Sequence, residues 1–143
     1  MCNKDLITVI LDTNIIMYST EKPFDITNQL IELGFFRIII IESVKKELEK
    51  LAIMGGVKER RNAKLALKIC ENFEFEPDPP ISGGVDEKLL FLAKTKGYII
   101  ATCDSDIRKK LRENGLPVIY LKDERLIAEV DLVTKINSKI NSK

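Results

Sequence analysis

Residues 6–14 read LITVILDTN, a short apolar and β-branched run that meets an acidic residue at Asp12. Similar runs follow at 36–41 (FRIIII), 98–101 (YIIA) and 118–121 (VIYL). Short runs that are apolar on both faces are typical of parallel strands covered on both sides of a sheet. The first run is therefore expected to be a strand that ends directly before Asp12.

Helices are expected between and after these strands, and three of them have a recognisable stop. Gly34, Gly97 and Gly115 stand where helices should end, and Pro117 follows the last of them. Strands that alternate with helices predict an α/β domain with a mainly parallel sheet. The expected helical stretches lie at about 25–33, 43–53, 57–72, 84–96 and 105–114.

The chain has 143 residues, which fits a single core, since cores of about 100 to 200 residues are common before chains divide. Hydrophobic residues make up 45% and charged residues 31%, which excludes a disordered protein. The Pro- and Gly-rich loop at 76–84 is too short to separate two domains. We expect one domain over 1–125 and a polar tail over 126–143 that contains a tandem INSK repeat.

Several classes of protein are disfavoured by composition. Histidine is absent, which removes the commonest general base and transition-metal ligand. Cys2, Cys70 and Cys103 form no C-x-x-C pair, which disfavours a disulfide framework and a zinc site. No membrane-length apolar run or signal-peptide pattern is found, so we expect a cytoplasmic protein with no membrane association. An enzyme of this composition would rely on carboxylates or lysines.

Two acidic residues follow predicted strands. Asp12 follows the first strand and Asp104 follows the run YIIATC, so both are expected at the edge where open α/β sheets bind ligands. Asp12 could instead serve only as the cap of a short helix. Thr102 places a hydroxyl near the same edge. Asp106 is either an auxiliary acid or, as we favour, an ordinary acid in the first turn of the next helix.

Two further acids lie on helix faces that are expected to point inward. Glu47 shares the apolar stripe that contains Val44, and Asp86 heads the stripe that contains Leu89. Glu47 could instead form an ion pair at the edge of its stripe. Asp86 could be favoured only by the helix dipole, as Glu87 beside it is expected to be.

These acids would repel one another if they met in one crevice, and their pKa values would rise. A divalent cation would relieve that repulsion. Ligation by oxygen alone, without His or Cys, suits hard ions, so we expect Mg²⁺ or Mn²⁺ rather than Zn²⁺.

The residues around the acids resemble the PIN-domain family of nucleases. Four motifs in order carry the resemblance: VILDTNII, ESVKKELEK, GGVDEKLLFLAKTKG and IIATCDSDIRKKLRENGLPVIYL. The resemblance implies a three-layer α/β/α fold, a metal site of clustered acids and hydrolysis of RNA phosphodiester bonds. The residues that it identifies as both catalytic and metal-binding are Asp12, Glu47, Asp86 and Asp104. Cys103 departs from the family, which often has Asn or Arg there.

The last motif is similar to single-domain archaeal PIN proteins related to ribosomal-RNA processing nucleases. The resemblance implies an endoribonuclease of ribosomal-RNA processing or RNA turnover. Toxin ribonucleases of toxin–antitoxin pairs share the same acids, and a PIN scaffold that binds RNA or protein without cutting is a further alternative. A homodimer and a ribosome-related or antitoxin-like protein partner both stay open.

Supporting residues are expected around the acids. Asn14 would orient Asp12 or a metal-bound water, and Thr102 would contact water or phosphate. We expect single-stranded RNA as the substrate, with weak sequence selectivity, because no base-reading module is recognised. Basic helix positions could contact phosphates or could simply be solvated. The positions that we expect to bind RNA are Arg60, Arg61, Lys109 and Lys110.

Overall fold

The computed structural model describes residues 7–22 and 24–129. These residues form a six-stranded sheet flanked by six helices, and the three-layer α/β/α architecture with a mainly parallel sheet is as predicted. The strands are β1 (Thr8–Leu11), β2 (Arg37–Ile41), β3 (Glu74–Glu76), β4 (Ile99–Thr102), β5 (Val118–Lys122) and β6 (Arg125–Ala128). The helices are α1 (Thr13–Glu21), α2 (Ile26–Glu32), α3 (Glu42–Met54), α4 (Val57–Cys70), α5 (Val85–Lys96) and α6 (Ser105–Glu113).

The sheet has the strand order β3-β2-β1-β4-β5-β6 and is parallel except for β6, which runs antiparallel to β5. The chain proceeds outward from β1 to β3 and then crosses back to β4 on the other side of β1. Leu11 therefore lies opposite Ala101 in the central pair of strands. In open parallel sheets this reversal of strand order opens a crevice beyond the carboxyl ends of the strands.

The core follows from the runs that are apolar on both faces. Every residue of β1 and β4 is buried, and so are Ile38, Ile39, Ile40 and Ile41 of β2. Burial of such a side chain contributes about 1.5 to 3 kcal/mol relative to exposure. The predicted helix stops are also confirmed, because Gly34, Gly97 and Gly115 have positive φ angles of 96°, 71° and 67°, where glycine is favoured.

Two strands were not predicted from sequence. β3 has three residues, two of them glutamates, so it lacks an apolar run. β6 follows a two-residue turn at Asp123 and Glu124, both with positive φ, and this turn lacks the glycine by which such hairpins are usually recognised. The predicted boundary at 125 cuts this strand after its first residue, so the folded part continues through β6. The INSK repeat lies outside the described residues. None of the described helices is long and apolar enough to cross a membrane.

Candidate active site

Asp12 and Asp104 lie at the carboxyl ends of the adjacent strands β1 and β4, and each caps the helix that follows. Asp12 Oδ1 accepts a hydrogen bond from the backbone N–H of Thr13 at 2.7 Å. Asp104 Oδ1 accepts one from the backbone N–H of Asp106 at 2.8 Å. The capping interpretation of Asp12 is therefore correct, but it uses only one carboxylate oxygen. The second oxygen of each acid is left for other partners.

Thr102 and Asn14 tie the two acid-bearing ends together. The Thr102 hydroxyl donates to Asp12 Oδ2 at 2.9 Å and accepts from the backbone N–H of Asp104 at 3.0 Å. Asn14 Nδ2 donates to Asp12 Oδ2 at 3.2 Å, and Asn14 Oδ1 accepts from the backbone N–H of Cys103 at 2.9 Å. Asn14 thus contacts Asp12 as expected. Thr102 is 0% exposed, so its hydroxyl orients Asp12 instead of meeting water or phosphate.

Helices α3 and α5 bring the other two acids to the same place. Asp12, Glu47, Asp86 and Asp104 all line one crevice of about 910 Å³. Asp86, in the first turn of α5, is half-buried. The four residues therefore meet across two strand ends and two helices.

The predicted inward orientation of Glu47 is wrong in detail. The buried stripe of α3 consists of Val44, Leu48 and Ala52, and Glu47 is exposed. Three residues of an α-helix fall about 60° short of a full turn, so Glu47 lies beside the stripe of Val44. That offset directs the residue to the crevice instead of the core.

A three-residue network connects the helices that carry Glu47 and Asp86. Asp78, in the loop before α5, accepts from the backbone N–H of Ser43 at 2.8 Å and from the Ser43 hydroxyl. Lys88 of α5 donates to Ser43 Oγ at 3.0 Å and lies 3.2 Å from Asp78 Oδ2. Burial raises the pKa of Asp78, but the hydrogen bonds from Ser43 and Lys88 outweigh it and hold that pKa below its usual value. The network fixes the first turn of α3 against α5.

The acids perturb one another electrostatically. Burial raises the pKa of Asp12 to about 6; the hydrogen bonds from Thr102 and Thr13 oppose this rise, and the charges of Asp86 and Glu47 add to it. Burial also raises the pKa of Asp86, with further increases from Asp104 and other acids and a decrease from Lys110. The crevice is therefore a place where negative charge is costly and a cation would be stabilised.

The donor set fits a hard divalent cation, because every acid supplies carboxylate oxygens. Thr13 Oγ1, beside Asp12, is a fully buried oxygen without a hydrogen-bond partner in the described part of the chain. Within residues 7–22 and 24–129, however, no three Asp, Glu or Cys side chains are gathered as a complete metal site. A cation would have to draw the carboxylates closer together.

Comparison with known proteins agrees with this architecture. A family model described as a PIN-like domain matches residues 9–124. The chain belongs to this PIN-like family. It is 38% identical over 125 residues to ribonuclease VapC9 of Archaeoglobus fulgidus, a match that covers 87% of this chain and 90% of that protein. It is 30% identical over 123 residues to the human rRNA-processing protein FCF1 homolog, covering 82% of this chain and 58% of that protein.

A solved structure of the PIN domain endonuclease Utp24 superposes on this PIN-like domain with a TM-score of 0.70. The sequences are 26% identical, and the superposition covers 85% of this chain and 90% of that chain. The family and the three-layer fold that the four motifs imply are thus confirmed.

The remaining predicted residues of this PIN-like domain are distributed unequally around the crevice. Lys110 lies within electrostatic reach of Asp86 and Glu87, whose pKa values it lowers. Lys109 and Arg61 are exposed. Arg60 donates to the Gly55 carbonyl oxygen at 3.0 Å, so its guanidinium is partly engaged within the fold.

Two acids near the crevice have ordinary local roles. Asp106 is exposed in the first turn of α6, as favoured from sequence. Glu87 accepts from the backbone N–H of Gly84 at 2.8 Å and so caps α5, which also agrees with the sequence interpretation. Cys103 lines the crevice, and burial together with the nearby charge of Asp12 raises the pKa of its thiol to about 11.

Sequence reasoning missed a second group of crevice residues, on α1 and α4. Tyr18 and Asn62 line the crevice, and neither belongs to a motif that we singled out. Asn62 carried a usable signal, because it shares a helical face with the buried residues Ala66 and Cys70. A polar residue on an inward stripe needs a partner.

Proposed function

We propose that this chain is a metal-dependent endoribonuclease that hydrolyses RNA phosphodiester bonds at Asp12, Glu47, Asp86 and Asp104, with Mg²⁺ or Mn²⁺ as cofactor. The observation that carries the proposal is the meeting of four carboxylates from different elements in one crevice, where burial raises the pKa of Asp12 and the charges of Asp86 and Glu47 raise it further. Similarity to VapC9, whose name describes a ribonuclease, supports it independently.

Residues of this chain would orient the Asp12 carboxylate and would bind the cation and the RNA. Thr102, Asn14 and Thr13 hold the Asp12 carboxylate in one orientation at the lining of the crevice. Asp104 Oδ2 accepts no hydrogen bond from the described residues and is available there. Asp12, Glu47, Asp86 and Asp104 would hold the divalent cation, whose charge would activate water and stabilise the oxygens of the reacting phosphate. Lys110 would offset the repulsion between the acids and the RNA backbone.

Two cellular settings fit this activity. Similarity to the FCF1 homolog and to Utp24 favours ribosomal-RNA processing or RNA turnover, with ribosome-related partners. Similarity to VapC9 over most of both chains favours a toxin ribonuclease with an antitoxin partner. Induced expression in a bacterial host separates them: a toxin arrests growth and Asp104→Asn relieves the arrest, whereas a processing enzyme leaves growth unaffected. An antitoxin-sized reading frame beside the gene would support the toxin.

The decisive experiment measures cleavage of an unstructured RNA by the purified chain. We expect cleavage with Mn²⁺ or Mg²⁺, none with EDTA and none by Asp104→Asn, while the exposed-acid control Asp106→Asn remains active. Robust cleavage in metal-free buffer would contradict metal dependence. RNA binding without cleavage at any Mn²⁺ concentration, and without metal-induced stabilisation, would indicate a non-cleaving scaffold instead.

A further inference from the structure

The crevice extends well beyond the four acids. Its lining also includes the apolar or aromatic residues Met17 and Tyr18 of α1, Leu51 of α3 and Val57 of α4. A volume of about 910 Å³ is in the range of pockets that hold organic ligands, about 300 to 1,000 Å³. A phosphate and its cation would fill only the acidic end.

Asn62 opens onto this second part without a partner. It is 7% exposed, yet its amide takes part in none of the side-chain hydrogen bonds found among residues 7–22 and 24–129. Among these described residues, Thr13 Oγ1 is the sole fully enclosed side-chain nitrogen or oxygen that lacks a hydrogen-bond partner. The Asn62 amide atoms are therefore not fully enclosed and retain access to the crevice. Buried amides are nearly always hydrogen-bonded. This one is therefore available to a ligand.

The surrounding charges restrict what that ligand can be. Glu21, Lys58 and Glu59 also line the crevice, so the acids outnumber the one lysine and a second phosphate is disfavoured. An apolar wall with one aromatic ring and one amide suits an uncharged planar group. The Tyr18 ring is held by an edge contact with Phe24, with ring centroids 5.8 Å apart, and so presents a fixed surface.

We propose, on the basis of the ribonuclease function above, that this part of the crevice binds one unpaired nucleobase next to the cleaved phosphate, and that the base is adenine. A primary amide presents a donor and an acceptor side by side, and among the Hoogsteen edges of the four bases only that of adenine, with N6 and N7, offers the matching pair. Tyr18 packs against the base, as aromatic side chains do with unstacked bases in RNA-binding proteins. Under this proposal the enzyme is selective for the base at one nucleotide, whereas weak selectivity throughout is expected from the sequence alone.

The test compares four RNA oligonucleotides that differ only in the base next to a single cleavable bond. With Mn²⁺, the wild-type chain should cut the adenine substrate about tenfold faster than the others, the size of discrimination that a bidentate amide contact provides. Asn62→Leu, of similar volume, should bring the four rates together without lowering Tm, because the amide has no hydrogen-bond partner among residues 7–22 and 24–129. Asn72→Leu, an exposed asparagine away from the crevice, should keep the preference.

A binding measurement tests the base site independently of catalysis. In the Asp104→Asn chain, a fluorescent UAU trinucleotide should bind more tightly than UUU, UCU or UGU, and Asn62→Leu should remove the difference. If the wild-type chain cuts no RNA, the proposed function fails and this comparison alone decides the base site. A preference for another base, no preference, or a preference that survives in Asn62→Leu would overturn the proposal. A lower Tm with unchanged preference would assign the amide a structural role instead.

Discussion

Thr102 donates its hydroxyl hydrogen to Asp12 Oδ2 at 2.9 Å from a side chain that has no solvent exposure. The Thr102 hydroxyl oxygen in turn accepts a hydrogen bond from the backbone N–H of Asp104. Because that backbone group donates to it, the hydroxyl is directed to Asp12 as a donor. One buried hydroxyl thereby couples the orientation of a carboxylate on β1 to the backbone that carries the next acid.

Replacement of Thr102 by valine should impair this coupling. The hydrogen bond from Thr102 lowers the pKa of Asp12, so its loss should raise that pKa and shift the acid limb of the pH–rate profile upward. Cleavage at neutral pH should fall about tenfold, and stability by about 1 to 3 kcal/mol, because a backbone N–H loses its acceptor. Thr102→Ser, which keeps the hydroxyl, is the matched control. An unshifted pH–rate profile in Thr102→Val would show that the hydrogen bond from Thr102 does not influence the pKa of Asp12.

Neutralisation of the strand-end acids should separate activity from stability. Asp12→Asn and Asp104→Asn should abolish cleavage while the chain without metal stays as stable or becomes slightly more stable, since each change removes like-charge repulsion. Cleavage assays and urea unfolding in EDTA provide the two readouts. The site assignment would fail if both variants cut RNA at the wild-type rate.

The stability of the metal-free chain should depend on pH through Asp12. Its pKa is about 6 in the folded chain against an ordinary value of 3.8, so between these values the folded state holds a proton that the unfolded state has released. Stability therefore falls as the pH rises through this window, by about 3 kcal/mol in total. The loss is fully present above pH 6.

This dependence can be isolated by subtraction. Asp78, whose pKa is lowered, contributes the opposite trend, so the quantity to measure is the difference in unfolding free energy between wild type and Asp12→Asn from pH 4 to 8 in EDTA. We expect Asp12→Asn to gain relative stability as the pH rises. A difference that does not change with pH would exclude the raised pKa of Asp12.

The network of Ser43, Asp78 and Lys88 should tune the site from outside the crevice. Lys88→Met removes a partly buried ion pair that joins the helices carrying Glu47 and Asp86, so the Mn²⁺ concentration for half-maximal cleavage should rise about tenfold. Lys96→Met is the matched control, because it breaks the 3.0 Å ion pair with Glu76 at the other end of α5. Equal Mn²⁺ requirements in the two variants would limit the network to a role in stability.

Two neighbouring lysines of α6 should contribute differently to the affinity for RNA. The charge of Lys110 lowers the pKa of Asp86, and Lys110 lies beside Asp86 in a small surface pocket that does not include Lys109. Lys110→Glu should therefore weaken RNA binding more than Lys109→Glu and reduce the salt dependence of binding by about one counterion. Fluorescence anisotropy across a salt series measures both quantities. Equal losses in the two variants would indicate a diffuse basic surface.

The sequence predicted those parts of the fold that depend on continuous burial. β1, β2, β4 and β5 contain uninterrupted apolar runs, so their place in a covered parallel sheet follows from local pattern. β3 and β6 owe their existence to neighbouring strands that pair with them. Pairing of this kind is a tertiary effect that three or four residues cannot encode.

The site residues, likewise, could be predicted from the sequence only where local pattern determines their position. Asp12 and Asp104 follow from the position of strand ends, because all parallel strands deliver their last residues to one edge. The direction of Glu47 was missed because a rotation of about 60° on a helix separates core from crevice. The contact of Asp78 with Ser43 joins residues 35 positions apart, and such a contact depends on the fold itself.

Three of the four described glycines with positive φ, Gly34, Gly97 and Gly115, precede β2, β4 and β5 and so lie at the sheet edge opposite the acids. The turns that contain these glycines and the acidic crevice therefore lie at opposite edges of the sheet. An engineer could lengthen the turns at the glycine end, or insert a reporter peptide there, with little consequence for the crevice. The same separation would let lineages of this domain diverge in turn length and attached modules while the acidic end stays constant.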